Sequence, residues 1–120
     1  MNFAQLPLSP AALKALGEKA EVELAERHLV DFFRQCWGHI DGNEYVHGRH
    51  IDVMAEHLQA VNEGQIRRLI LNIPPRYAKT SLFGIAWPAW TWLRRQGGPR
   101  GNEIQGPQTQ FLYVSHKDEL

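Results

Sequence analysis

Between Gly64 and the pair Pro74-Pro75 the hydrophobic period of this chain changes. Upstream, apolar residues recur at steps of three and four, the spacing of a helix face. Within this interval they run together as Leu69-Ile70-Leu71, with Ile73 just after. A short apolar run closed by glycine and proline reads as a buried strand. The helical period returns over residues 78–95, with Pro88 inside it as a point of kinking or division. A loop with four glycines and two prolines follows over residues 96–108, and the stretch Thr109 to Ser115 (TQFLYVS) reads as a second strand. Strand, helix and strand joined by a crossover of this length predict parallel strands and an α/β fold. The chain then divides into an N-terminal helical segment, residues 1–64, and the start of an α/β core, residues 65–120.

The helical segment shows two patterns. From Pro10 to about Trp37, Val22, Ala25, Leu29, Phe32, Phe33 and Cys36 form one apolar stripe, which predicts a single long helix. Glu18, Glu21, Glu23, Glu26 and Arg27 supply its wet face. After the turn signal Asp41-Gly42-Asn43, Ile51, Met54, Leu58 and Val61 predict a second helix that Gly64 stops.

Charge is divided unevenly. Residues 1–60 carry five Lys/Arg against nine Asp/Glu, and residues 61–120 carry eight against four. The basic excess lies in the half that suits an anionic ligand. Cys36 is the only cysteine, so no internal disulfide forms. No apolar run approaches the roughly 20 residues that span a bilayer, and the N-terminus lacks the continuous apolar core of a signal peptide. The last four residues, Lys117-Asp118-Glu119-Leu120, spell a retention signal of the secretory pathway, which without a signal peptide reads as coincidence.

The stretch NIPPRYAKTS, residues 72–81, joins the first expected strand to the helix after it. At such a junction, free N–H groups and the helix dipole form an anion site. Pro74 and Pro75 donate nothing, so the donors are the amides of Arg76, Tyr77, Ala78, Lys79 and Thr80. Lys79 can reach β- and γ-phosphates, Thr80 is a natural Mg²⁺ ligand with Ser81 as the alternative, and Arg76 adds a second cation. The usual G-x-x-x-x-G-K-[ST] pattern is broken at both glycines, by Ile73 and Ala78. On these residues alone, a proline-stiffened turn with a solvated lysine competes with a phosphate loop.

A longer set of features bears on that choice. An aromatic-rich helix ends in DFFRQCW. There follow YVHGRHIDVMAEHLQAVNEGQIRRLILNIPPRYAKTS, the Trp/Pro-rich stretch LFGIAWPAWTWLRR and the stretch FLYVSHKDEL. In this order, from about Leu29 to Leu120, the chain resembles the N-terminal ATPase region of phage terminase large subunits, the motors that package DNA. The form Asn-x-Pro-Pro-Arg-x-x-Lys-[Ser/Thr] is similar to the phosphate loop of one terminase branch and accounts for the absent first glycine.

The resemblance implies an incomplete P-loop NTPase, a parallel sheet with flanking helices, cut from a longer ATPase with a nuclease domain downstream. It implies ATP and Mg²⁺ as cofactors, with Lys79 on the β/γ-phosphates, Thr80 on the metal, and Arg76 sensing or stabilising the γ-phosphate. It implies an adenine reader upstream, for which His50 is the nearest match, with Tyr45 as stacking partner. Implied partners are viral double-stranded DNA, portal protein and small terminase subunit, in a homo-oligomer working in the cytoplasm of a bacterial host. The acidic strand end that would position Mg²⁺ and the attacking water is absent here, so the chain alone is expected to be inactive.

Two other readings stand beside this one. Cys36-x-x-His39 and His47-x-x-His50 have metal-ligand spacing, although Cys36 falls on the apolar stripe. Trp87, Trp90 and Trp92 around Pro88 could form a partner-binding face of a non-catalytic interaction module, or of a remnant retaining only the phosphate loop.

Overall fold

The computed structural model describes residues 9–74 and 77–114. The chain runs through helix α1 (Pro10–Arg27), α2 (Leu29–Ile40), α3 (Arg49–Asn62), a π-helical stretch (Ser81–Ala86) and α4 (Trp87–Leu93). Ser9 starts α1, its Oγ accepting the Ala12 N–H at 3.2 Å, and Pro10 occupies the first turn.

The single long N-terminal helix of the sequence reading is two helices. His28 is extended (φ −127°, ψ 123°), and the chain turns there. Gln59 of α3 holds the break open. Its Oε1 accepts the Leu29 N–H at 3.0 Å and its Nε2 donates to the Arg27 carbonyl at 3.3 Å. One side chain thus satisfies backbone groups on both sides of the gap. The half of the stripe that lies in α2 is deeply packed at Leu29 and Phe33, whereas α1 has no buried residue and leaves Val22 more than half exposed. Glu21 ties the two helices, pairing with Arg34 at 3.2 Å and receiving Gln35 Nε2 on its carbonyl at 2.8 Å.

Helix α3 buries Ile51, Met54, Ala55 and Leu58 against Leu29, Phe33, Leu82, Ala86 and Trp90. It closes at Gly64, whose φ of +78° suits glycine. Beyond Thr80 the chain stays helical but widens. Trp87 donates to the Leu82 carbonyl five residues back, directly before Pro88, which has no N–H and crowds the carbonyl four residues behind it. The expected kink at Pro88 is therefore a π-helical turn.

The α/β reading is overturned. Among the described residues there is no strand and no sheet, and the one β-type pair is an isolated antiparallel bridge between Gly97 and Glu103. The run Arg67–Ile73 carries no regular structure, and neither does Thr109–Val114; the last residue of the expected second strand and the helix expected after it lie outside the described residues. A strand exists only through a backbone partner, and these two runs do not become neighbours. Leu69 and Leu71 face Tyr113 and Val114 across a cavity of about 470 Å³. Phe111 turns instead onto Trp87 and Trp92, with ring centroids 5.1 and 5.5 Å away. The described residues form a small all-helical globule with two extended connections, not a P-loop parallel sheet.

The glycine-rich loop is anchored. Ile104 N–H donates to the Asn62 carbonyl and Gly106 N–H to the Thr91 carbonyl, both at 2.7 Å. A Cβ at Gly106 would lie 2.6 Å from the Gln96 Cα, so only glycine fits this approach. Asn62 is the junction. Almost wholly buried, its Nδ2 donates to Thr91 Oγ1 at 3.0 Å and its Oδ1 accepts Trp87 Nε1–H at 2.7 Å. Asn62→Ala removes the partners of the Trp87 indole and the Thr91 hydroxyl together. It is expected to cost about 3 kcal/mol, since each buried unpaired group costs roughly 1–3 kcal/mol. Urea unfolding checks this, with the midpoint falling and the slope unchanged.

Candidate functional site

A cavity of about 810 Å³ opens where α2 and α3 meet the start of the π-helical stretch. Pro74, Tyr77, Ala78, Lys79, Thr80 and Ser81 line one side. Trp37, His50 and Ile51 line it from α2 and α3, and Asp41, Asn43, Glu44 and Val46 form a lip between those helices. The size falls within the usual range for small-molecule sites, roughly 300–1,000 Å³.

Ala78 has φ +59°, the only non-glycine residue at positive φ among the described residues. For a residue with a Cβ this left-handed conformation costs roughly 1–2 kcal/mol. Such strain persists only where surrounding structure imposes it, and it concentrates at functional sites. Its effect here is specific. The Ala78 carbonyl accepts the Leu82 N–H at 2.9 Å, so the helix starts immediately after the strained residue. The amides of Lys79, Thr80 and Ser81 are then left outside the helical ladder, where they can serve an anion. A left-handed residue beside helical ones is also the geometry that converges successive N–H groups on one point. Lys79 is exposed and makes no ion pair with another described residue.

His50 packs on the loop itself, its ring centroid 5.1 Å from that of Tyr77 in a nearly perpendicular edge contact, and also lines the cavity. Tyr45 does not line the cavity. It packs edge-on to Phe33 and Trp37, and its hydroxyl meets His47 Nδ1 at 2.7 Å, while His47 Nε2 meets Asp52 Oδ2 at 2.9 Å. Burial, with the Asp52 charge adding to it, raises the Tyr45 pKa. The ring that reaches the cavity from this cluster is Trp37, fixed by its Nε1–H donating to the Asn43 carbonyl at 2.7 Å. Pro75 and Arg76 lie outside the described residues.

The structure thus gathers Tyr77, Ala78, Lys79, Thr80, Ser81 and His50 in one place, without Tyr45. Trp37 and the acidic lip were not singled out from the sequence. The signals nearest to them were the helix ending in DFFRQCW and the Asp41-Gly42-Asn43 turn, and neither says that the turn comes back to residue 79.

Cys36 does not line this cavity, and its thiol pKa is raised by burial. Among the described residues no three His, Cys, Asp or Glu side chains gather to hold a metal ion. No helix among them is long and apolar enough to cross a membrane. No protein-family model, curated protein or solved structure matches the chain.

Two substitutions test this geometry. Ala78→Gly relieves the strained φ and is expected to stabilise the fold by about 1 kcal/mol, read as a higher Tm. Tyr45→Phe removes the link to His47 without touching the cavity, so any ligand of residues 77–81 should keep its affinity within about twofold in titration calorimetry.

Proposed function

We propose that this chain binds a nucleoside triphosphate with Mg²⁺ through residues 74–81, as part of an ATP-driven DNA-packaging motor of the terminase large-subunit kind. The observation that carries the nucleotide reading is Ala78. Its left-handed backbone lies where the resembled loop would carry its second glycine, and Lys79 and Thr80 open the helix directly after it, on the wall of a ligand-sized cavity.

The loop residues fit the group, whereas the carboxylates of Asp41 and Glu44 on the lip oppose its negative charge. Lys79 supplies a point charge to the β- and γ-phosphates, and the amides after Ala78 donate to their oxygens. The Thr80 hydroxyl would hold Mg²⁺, which would supply neutralisation of phosphate charge. Elsewhere on the lining, Trp37 offers a ring surface to a base, and His50, packed on Tyr77, offers a hydrogen-bonding edge. Arg76 remains the proposed γ-phosphate residue on the strength of the resemblance. The wider motor follows from that resemblance as well: ATP hydrolysis, a downstream nuclease, duplex DNA, portal and small-subunit partners, homo-oligomeric assembly and action in the bacterial cytoplasm.

The interaction-module reading draws less support. Trp90 is buried, with its indole N–H donating to the Ala25 carbonyl at 2.9 Å, and Trp87 is held by Asn62. Only Trp92 of the three is substantially exposed, and its N–H already meets the Thr109 carbonyl at 2.7 Å.

Titration with a fluorescent ATP analogue, with and without Mg²⁺, tests the proposal. Lys79→Ala should weaken binding at least tenfold, roughly 1.4 kcal/mol or more, and Thr80→Ala should reduce the benefit of Mg²⁺. Ala78→Gly should bind as well as the parent or better. Equal affinity in Lys79→Ala, or sharply weaker binding in Ala78→Gly, would sink the reading.

A further inference from the structure

A second cavity, of about 700 Å³, shares no lining residue with the first. Its walls are apolar: Val22 from α1, Phe32 and Cys36 from α2, Trp90 and Leu93 from α4. Val22 and Leu93 are 56% and 76% exposed, so this apolar surface is open to water. Polar side chains line it too, Glu26, Gln35, Arg94, Arg95 and Gln105 among them. The half-buried Arg94 guanidinium stacks over Trp90, with Cζ 4.1 Å from the ring centroid. Among the described residues no carboxylate lies within ion-pair distance of it. Glu103 is turned to Arg100 at 3.9 Å, and Glu26, on the same cavity wall, does not pair with it. Burial lowers the Arg94 pKa, and the charges of Glu103 and Glu63, too far away to pair with it, offset part of that effect.

Gln105, also on the lining, is 5% exposed. Its Nε2 donates to the Arg95 carbonyl at 2.9 Å, but its Oε1 is the one buried side-chain polar atom without a partner among the described residues. Arg94 and Gln105 both line this cavity, together with Glu26, Gln35 and Arg95.

We propose that this cavity binds an amphiphilic monocarboxylate: an apolar body against Phe32, Cys36, Trp90 and Leu93, with its carboxylate on Arg94. An apolar pocket with a few convergent polar groups is the usual form of a small-molecule site. A planar guanidinium suits a carboxylate because both its N–H groups can donate to both oxygens. The lining carries two arginines, Arg94 and Arg95, against one carboxylate, Glu26, so its net charge favours an anionic head over a cationic one.

The test uses decanoate, 1-decanol and decyltrimethylammonium below their aggregation limits, titrated into the ¹⁵N-labelled chain. The Trp90 indole and Arg94 side-chain resonances report binding. Iodoacetamide alkylation of Cys36 gives a second readout. Decanoate should shift both resonances saturably and slow alkylation at least fivefold, with decanol at least tenfold weaker and the ammonium compound weaker still. Arg94→Gln should bring decanoate and decanol to similar affinity, and Arg94→Lys should keep most of the preference. Equal binding of all three probes, or no saturable shift with decanoate, would overturn the proposal. So would resonances that move on dilution without ligand, because the cavity would then be closed by a second copy of the chain.

Discussion

Asn62 holds the second half of this fold to the first. Helix α3 ends on it, the π-helical stretch and α4 reach it through Trp87 and Thr91, and the glycine-rich loop docks on its carbonyl. Every hydrogen-bonding atom of the side chain is engaged by a different type of donor or acceptor, so apolar packing alone could not fix this junction. A buried amide satisfied on both sides accepts one arrangement and penalises the others. The position of α4 follows, and with it the burial of Trp90 against the α1 backbone and the closure of the core over Leu29, Phe33 and Leu58.

What the sequence made legible was local. The period of α3 and its stop at Gly64, and the proline in the third helical region, all correspond to features seen in the fold, because nearest-neighbour chemistry decides them. The break at His28 was not legible. The apolar stripe runs through it without interruption, and it exists because Gln59, about thirty residues later, offers two hydrogen bonds to the backbone there. The two expected strands failed for the same reason in reverse. Their composition is that of strands, but pairing is a tertiary fact, and among the described residues neither run has a backbone partner.

The candidate site divides along the same line. Lys79, Thr80 and Ser81 could be named because a loop motif is contiguous in the chain. His50 was named by resemblance as an adenine reader, and in the fold it packs on Tyr77 of the loop and lines the same cavity. Tyr45 was the natural aromatic choice by proximity to His50, yet a hydroxyl that can reach His47 draws it into a polar chain ending on Asp52, and Trp37 takes the wall instead. Ala78 is the most informative of these positions. As a letter it breaks the glycine pattern, while as a backbone it adopts the conformation that the pattern's glycine would favour.

The two extended runs have a consequence for how this chain behaves in solution. Ile70, Leu112 and Val114 are 85%, 90% and 87% exposed, on backbone whose amides and carbonyls have no internal ladder. Such a segment is a template for whatever strand meets it first. The first run is bracketed by Arg67-Arg68 on one side and Pro74 on the other, residue types that act as gatekeepers by charge repulsion and by the loss of an N–H. The second run, uncharged from Thr109 to Val114, has its flanking charges at Lys117, Asp118 and Glu119 and no proline within it. Self-association of this chain should therefore begin at these two exposed runs and not in the helical core, and a lysine added within either would favour solubility.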